Sequence, residues 1–167
     1  MPSIRLIRID GDLQRILGKP GDDFEKAYRA SVGKHKATAR EVVSQTLALL
    51  AKAPRDPVWG GYLAVDQERG LVVGTCGFKH GPETDGSVEI AYFTFSEFEK
   101  KGYATAMAGE LLRLALKAEG VREVIAHTLP MRNASTRVLE KVGLRWIGET
   151  VDPEDGRVWR WAYRSEA

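Results

Sequence analysis

The sequence predicts a mixed α/β (α+β) fold: a mostly antiparallel sheet of about six to seven strands, helices on both faces and one βαβ crossover. Three observations lead there. Apolar residues alternate repeatedly between a period of two and a period near 3.6. Two pairs of strand-like runs are joined by short turns, Asp66-Gln-Glu-Arg-Gly70 and Asp152-Pro-Glu-Asp-Gly156, as in hairpins. One long amphipathic run, Tyr103 to Glu119, lies between two strand-like runs, and two parallel strands joined in that way need a helical crossover.

Taken in order, Ile4 to Arg8 alternates apolar and basic residues and reads as a first strand. From Gly11 to Ala53 the pattern is helical, with pieces at Leu13 to Leu17, Asp23 to Ala30 and Thr38 to Ala53. In the last, Val42, Val43, Thr46, Leu47 and Leu50 form a stripe, Thr38 with Glu41 reads as a capping box, and Pro54 and Pro57 close the helix. Trp59 to Val65 and Leu71 to Phe78 form a hairpin, and Ser87 to Phe95 a third strand. Gly102 opens the long helix, whose buried face carries Met107, Leu111, Leu114 and Ala115 or Ala118, and Gly120 is expected to end it. Val124 to Thr128 is a strand, Ala134 to Val142 a helix ended by Gly143, and Leu144 to Thr150 with Val158 to Tyr163 a last hairpin.

The 167 residues carry 25 Lys+Arg against 23 Asp+Glu, 43% hydrophobic residues and one cysteine. That length predicts a single domain over residues 1–167 with a core that needs no disulfide or metal staple. A net charge of +2 excludes a protein that grips nucleic acid over its whole surface. No run approaches the roughly 18 apolar residues of a membrane span, and the opening MPSIRLIRIDG lacks a signal peptide's apolar stretch, so a cytoplasmic protein with no membrane partner is expected. Cys76 sits mid-strand and reads as a small core residue. His35 and His80 lie in loops too far apart to suggest a metal site, and no metal is expected.

The junction Glu97-Phe-Glu-Lys-Lys-Gly-Tyr-Ala-Thr105, a strand end feeding a helix, is the place where an anion would bind. The first-turn amides of a helix lack partners and carry the positive end of its dipole. Gly102 and Ala104 allow close backbone approach, and Lys100 and Lys101 add charge. Lys100 to Arg145 holds nine basic and four acidic residues, a local surplus hidden by the near-neutral total. No P-loop Lys-Ser or Lys-Thr pair follows, and no G-x-G-x-x-G is present.

Glu99-Lys-Lys-Gly-Tyr-Ala104 resembles the Q/R-x-x-G-x-G/A acyl-coenzyme A loop of the GNAT N-acetyltransferase superfamily. Thr128-Leu-Pro-Met-Arg-Asn-Ala-Ser-Thr-Arg-Val-Leu-Glu-Lys-Val-Gly-Leu144 is similar to T-x-P-x-N-x-A-S-x-R-V-L-E-K-x-G-F of its RimJ/RimL-like branch of ribosomal-protein acetyltransferases. Val88-Glu-Ile-Ala-Tyr92 is similar to that branch's v-E-I-G-Y strand. The resemblance implies a GNAT-like fold and transfer of an acetyl group from acetyl-CoA, as cosubstrate, to a primary amine: a protein N-terminus or a small molecule. It implies that the strands at Ser87 to Phe95 and Val124 to Thr128 splay apart, with the pantetheine arm along the backbone near Phe93 to Phe95. Lys100, Lys101, Gly102, Tyr103, Ala104, Thr105 and Asn133 complete the implied cofactor-binding set. Three departures stand out: Glu99 replaces Gln or Arg, Arg132 replaces Asn with Asn133 one place later, and Leu139 replaces the general-acid Tyr of other GNAT branches.

Making an amide from a thioester needs a neutral amine and help for the departing thiolate. Deprotonating an α-amine at pH 7 costs about 1 kcal/mol, against roughly 4.6 for a lysine amine. Glu89, the branch's proposed base, reads as that base, or else as a strand carboxylate in water or paired with an arginine. Ser135 reads as the acid for the thiolate, or else as a first-turn helix cap. His127 is expected to be a satisfied strand histidine, and Trp159 and Trp161 to pack on one sheet face. Trp59 and Tyr62 flank Gly60-Gly61 near the expected acceptor entrance, and the last hairpin offers an edge for a homodimer. Two other functions fit the chain: a non-catalytic acyl-CoA-binding or sensing module, and a nucleotide-binding α/β domain.

Overall fold

Strands Ile4–Arg8 (β1), Gly61–Asp66 (β2), Leu71–Phe78 (β3), Ser87–Thr94 (β4), Glu123–Thr128 (β5), Arg145–Asp152 (β6) and Gly156–Arg164 (β7) form one seven-stranded sheet in the order β1-β2-β3-β4-β5-β7-β6. The structure, a computed structural model, describes residues 1–164. Only the β4–β5 pair is parallel. The helices are Gly11–Leu17 (α1), Asp23–Tyr28 (α2), Lys36–Lys52 (α3), Tyr103–Lys117 (α4) and Ala134–Val142 (α5). The mixed, mostly antiparallel sheet and its single crossover, β4-α4-β5, are those expected from the sequence.

Each face is covered by a helix chosen by its apolar stripe. α4 buries Met107, Leu111, Leu112 and Ala115, each large side chain worth about 1.5–3 kcal/mol. It lies so close to β3 that a Cβ on Gly74 would touch Met107 Cε at 3.2 Å. The opposite face receives α1 and α3, where a Cβ on Gly61 would meet Ile9 Cδ1 at 3.1 Å and Thr46 Cγ2 at 3.2 Å.

Several boundaries differ from expectation. Thr38 and Glu41 form no capping box: a 3₁₀ turn, Gly33–His35, runs straight into α3, which begins at Lys36 and places Thr38 within its first turn. The α3 stripe is shallow, with Ala39 and Val43 fully buried and Val42, Thr46, Leu47 and Leu50 only half-buried. Trp59 closes a 3₁₀ turn, Pro57–Trp59, and β2 starts at Gly61. α2 stops at Tyr28, where Arg29 turns left-handed, φ 53°. Gly120 does not end α4, because the chain already leaves the helix at Ala118 by turning extended, ψ 141°. Gly143 does end α5 with φ 100°.

The feature that makes a site is the partial pairing of β4. Along β3 it pairs from Ile90 to Thr94, but with β5 only from Ser87 to Glu89. Beyond Glu89 and Ile125 the two strands part, as the family resemblance implied, and the backbone of Ile90 to Thr94 faces a gap instead of a neighbour.

Candidate active site

One cleft opens from the strand gap toward the α4 N-terminus. It has a volume of about 580 Å³ and is bordered by Tyr92, Phe93 and Thr94 of β4, Glu99, Lys100 and Gly102 to Thr105, and Ala134, Ser135, Arg137, Val138 and Lys141 of α5. In its loop Lys100 has φ 61° and Gly102 φ 88°. A left-handed turn at two positions aims successive amides to one side, a concavity suited to an anion, directly before the free amides of α4. Thr94 Oγ1 is buried without a hydrogen-bond partner, an orphaned polar atom at the cleft wall. The turn and the orphaned hydroxyl together fit an elongated polar ligand that ends in phosphates.

The loop is pinned from two sides. Tyr103 is buried and its hydroxyl donates to Asp66 Oδ2 at 2.5 Å, while Asp66 Oδ1 accepts the amides of Glu68 and Arg69. Burial alone would raise the Asp66 carboxyl, but these donors outweigh it and hold it below the usual aspartate range. On the other side His35 bonds Glu97 and stacks on Phe95 with ring centroids 4.1 Å apart, tying the start of α3 to the end of β4. The Glu97 carboxyl is held low by these His35 and Lys34 contacts.

The structure therefore brings Phe93, Lys100, Gly102, Tyr103, Ala104, Thr105 and Ser135 to one cleft. Tyr103 contributes backbone there, since its side chain is committed to Asp66. Phe95 is buried under His35, and Lys101 is not among the residues that border the cleft. Asn133 caps α5: its Oδ1 accepts the amide of Thr136, and Thr136 Oγ1 accepts the Asn133 amide. Ser135 is thus not the cap. Its Oγ lies 3.2 Å from the phenol oxygen of Tyr92, whose titration burial pushes above 10, against the lowering effect of the Ser135 bond. Leu139 is wholly buried, and Arg132 pairs with Glu140 on the surface at 2.7 Å.

A smaller hollow of about 120 Å³ at the strand gap joins Lys79, Glu89, Tyr92, His127 and Ser135. Glu89 is buried, at 8% exposure, and its Oε2 receives both Lys79 Nζ and His127 Nδ1, each at 3.0 Å. On the α3 side a third cleft, about 620 Å³, has a floor of small residues, Gly60, Gly61, Thr75, Gly77 and Ala91, with Val42 and Leu49 as a wall. Its charged residues are Arg55, Lys79 and Glu154. Cys76 lies beneath it, buried, with its thiol titration pushed up by that burial. Among the described residues Tyr92 alone borders all three cavities.

Sequence reasoning gave no role to Tyr92, Thr94, Arg137 and Lys141, and read His127 only as a satisfied strand histidine, which its bond to Glu89 makes it, without placing it at the strand gap. The i,i+4 spacing of Arg137 and Lys141 on a helix was a usable signal, since it sets both on one face beside the loop. His127 needed the β4–β5 register, which pairs Glu89 with Ile125 and sets His127 two residues on, on the same face.

Comparison with known proteins bears on the fold and the family. The Bacillus subtilis (strain 168) protein named Uncharacterized N-acetyltransferase YjdG is 27% identical over 103 residues, 62% of this chain and 61% of that protein, so the match spans less than two thirds of the relative. An acetyltransferase (GNAT family) from Bacillus anthracis has a similar fold, with a TM-score of 0.66 at 18% identity over 100% of this chain and 98% of that one. The RimL ribosomal L7/L12 alpha-N-protein acetyltransferase, solved with coenzyme A, also matches in fold, with a TM-score of 0.66 at 16% identity over 99% and 96% of the two chains. Residues 4–145 match the acetyltransferase (GNAT) domain family, and since that is most of the sequence and includes the split strands and the anion loop, the chain belongs to the GNAT acetyltransferases.

Proposed function

We propose that this protein is an N-acetyltransferase that moves an acetyl group from acetyl-CoA to a primary amine, a protein N-terminus or a small-molecule amine, by direct attack on the thioester. The observation that carries this reading is the pairing of the left-handed Lys100–Gly102 turn with the gap between β4 and β5, so that phosphate-seeking amides and unpaired strand backbone border one cleft. Acetyl-CoA supplies the activated acetyl group. Lys100, Arg137 and Lys141 would offer its phosphates charge, Thr94 Oγ1 would offer its arm a hydrogen-bonding group, and Ser135, which borders both the cleft and the strand-gap hollow, would assist the departing thiolate. The motifs at Val88 to Tyr92 and Thr128 to Leu144 support a place in the RimJ/RimL-like branch.

The amine would enter from the α3 side, over Gly60, Gly61 and Gly77. Two cations and one carboxylate line that cleft, which favours an acceptor with a single amine beside an apolar body over a polycation.

Free-thiol release from acetyl-CoA over a panel of peptide N-termini, amino acids, polyamines and aminoglycosides tests the proposal. Saturating acetyl-CoA is expected to raise Tm by about 5–10 °C. A thermal shift without thiol release from any amine would indicate a binding module, and the absence of both thermal shift and thiol release would refute the reading altogether.

A further inference from the structure

We infer that His127, and not Glu89, takes the proton from the acceptor amine, and that Glu89 is the positioning residue that fixes its ring. The inference rests on the acetyltransferase reading above and assigns its base to a different side chain.

Three observations carry it. First, Glu89 is occupied. The single oxygen Oε2 accepts from Lys79 Nζ and from His127 Nδ1, both at 3.0 Å, and the side chain is only 10% exposed. With two donors on it, Oε2 has both lone pairs engaged and takes up no proton from an amine without giving up one of those bonds. Second, the bond from Nδ1 fixes the imidazole tautomer. A carboxylate can only accept, so Nδ1 carries the hydrogen and Nε2 keeps its lone pair. Nε2 makes no hydrogen bond among the described residues and is not sealed from solvent, and His127 is one of the residues that line the hollow. Third, register places it correctly. Glu89 pairs with Ile125, and His127 follows on the same sheet face just where β4 and β5 part. That is the α3 face, which holds the acceptor cleft, and Lys79 borders both cavities.

Imidazoles ordinarily titrate near 6.5 and glutamates near 4.3, and a general base works best when its titration lies near the operating pH. A carboxylate holding Nδ1–H while Nε2 accepts a proton is also how imidazole bases are oriented on unrelated folds. The groups facing the ring are of both signs. Lys79 follows β3, Glu89 belongs to β4, and Asp152, whose carboxyl is influenced by both Lys79 and His127, stands at the β6–β7 turn with Glu154. Arg160 of β7 lies opposite His127 in register and reaches toward Glu123 at 3.7 Å.

The step balances without any further reactant. The amine arrives neutral and its nitrogen forms a bond to the acetyl carbon. Nε2 takes the proton that this nitrogen sheds, and the C–S bond breaks with its electron pair on sulfur. The imidazolium then gives its proton to the thiolate or to water.

The test uses the amine that releases most thiol from the panel. His127→Gln is expected to lower kcat/KM roughly 10²- to 10⁴-fold and to abolish its acidic limb, with the acetyl-CoA thermal shift retained. In His127→Ala, free imidazole is expected to restore part of the rate. Glu89→Gln is expected to keep an acidic limb, because the imidazole is still present, and to lower kcat/KM less than His127→Gln does. Independently of turnover, long-range ¹⁵N–¹H spectra of wild type are expected to show neutral His127 protonated at Nδ1 only. An acidic limb that survives in His127→Gln and vanishes in Glu89→Gln overturns the assignment, as does an Nε2–H tautomer. A wild type that turns over under either of those outcomes leaves the acetyltransferase reading intact; one that neither binds acetyl-CoA nor releases thiol removes both.

Discussion

The reciprocal cap between Asn133 and Thr136 frees the Ser135 hydroxyl from the backbone, and its nearest partner is the Tyr92 phenol. Either hydroxyl can donate in this bond; the phenol is the stronger acid of the two, and with Tyr92 donating, Ser135 keeps its own hydrogen for a third group. That group, under the proposed function, is the sulfur as it gains charge. One hydrogen bond of this kind is worth about 0.5–2 kcal/mol, or roughly 2- to 30-fold in rate. Ser135→Ala is expected to slow single-turnover acetyl transfer by that factor with acetyl-CoA affinity little changed, and Tyr92→Phe by less. Because Tyr92 acts through Ser135, adding Tyr92→Phe to Ser135→Ala should cost almost nothing more; a fully additive double variant would show that the phenol acts by itself. Glu89 and Ser135 were legible in the sequence because motif and strand parity single them out, but their partners were not. Lys79 just after β3, Tyr92 of β4 and His127 of β5 reach them from different parts of the sheet, and only sheet register reveals such neighbours. The Thr38 capping box shows the converse error, in which local chemistry was overridden by the turn that precedes it.

Strand and helix types were legible almost throughout, since hairpin turns and two strong helical stripes mark them, whereas the ends of α2 and α4 moved because backbone dihedrals at Arg29 and Ala118 decided them. The glycines explain why these elements approach so closely, and they do so with opposite signs. A Cβ on Gly77 would sit 2.5 Å from Gly60 O and 2.8 Å from Gly61 Cα, backbone atoms at the start of the paired strand β2 and the residue before it, which cannot rotate away. Gly77→Ala is therefore expected to cost about 1–3 kcal/mol and to lower Tm by about 3–10 °C, while raising the floor of the acceptor cleft. Gly109, inside α4, has ordinary helical geometry, and a Cβ there would meet only Val142 Cγ1 at 3.9 Å. Gly109→Ala removes unfolded-state freedom without a clash, so a gain of roughly 0.5–1 kcal/mol and a Tm rise of about 1–4 °C are expected. Differential scanning calorimetry on the two variants checks both signs; equal shifts in one direction would mean that packing at Gly77 relaxes freely.

Over the whole molecule a net charge of +2 conceals an uneven distribution. Lys100, Arg137 and Lys141 border the strand-gap cleft against one carboxylate, Glu99, whereas the α3-side cleft mixes Arg55, Lys79 and Glu154. The fold thus separates a cationic side for a phosphate-bearing ligand from a mixed side for the acceptor, with the Glu89–His127 pair between them. Two sources of attraction at the cationic side can be told apart. A diffuse field counts Lys100 and Lys101 alike, because at 0.15 M salt the screening length of about 8 Å exceeds their separation along the loop. Direct contact does not, because Lys100 borders the cleft in a left-handed conformation and Lys101 does not border it. Lys100→Ala is expected to weaken coenzyme A binding by roughly 3- to 10-fold and to flatten its salt dependence, and Arg137→Ala to act similarly. Lys101→Ala is expected to change affinity by less than about 2-fold. Calorimetric titration of coenzyme A between about 0.05 and 0.5 M salt separates the cases. Equal losses at Lys100 and Lys101 would assign the anion site to the molecule's general field, and unequal losses to the turn that places one lysine at the ligand.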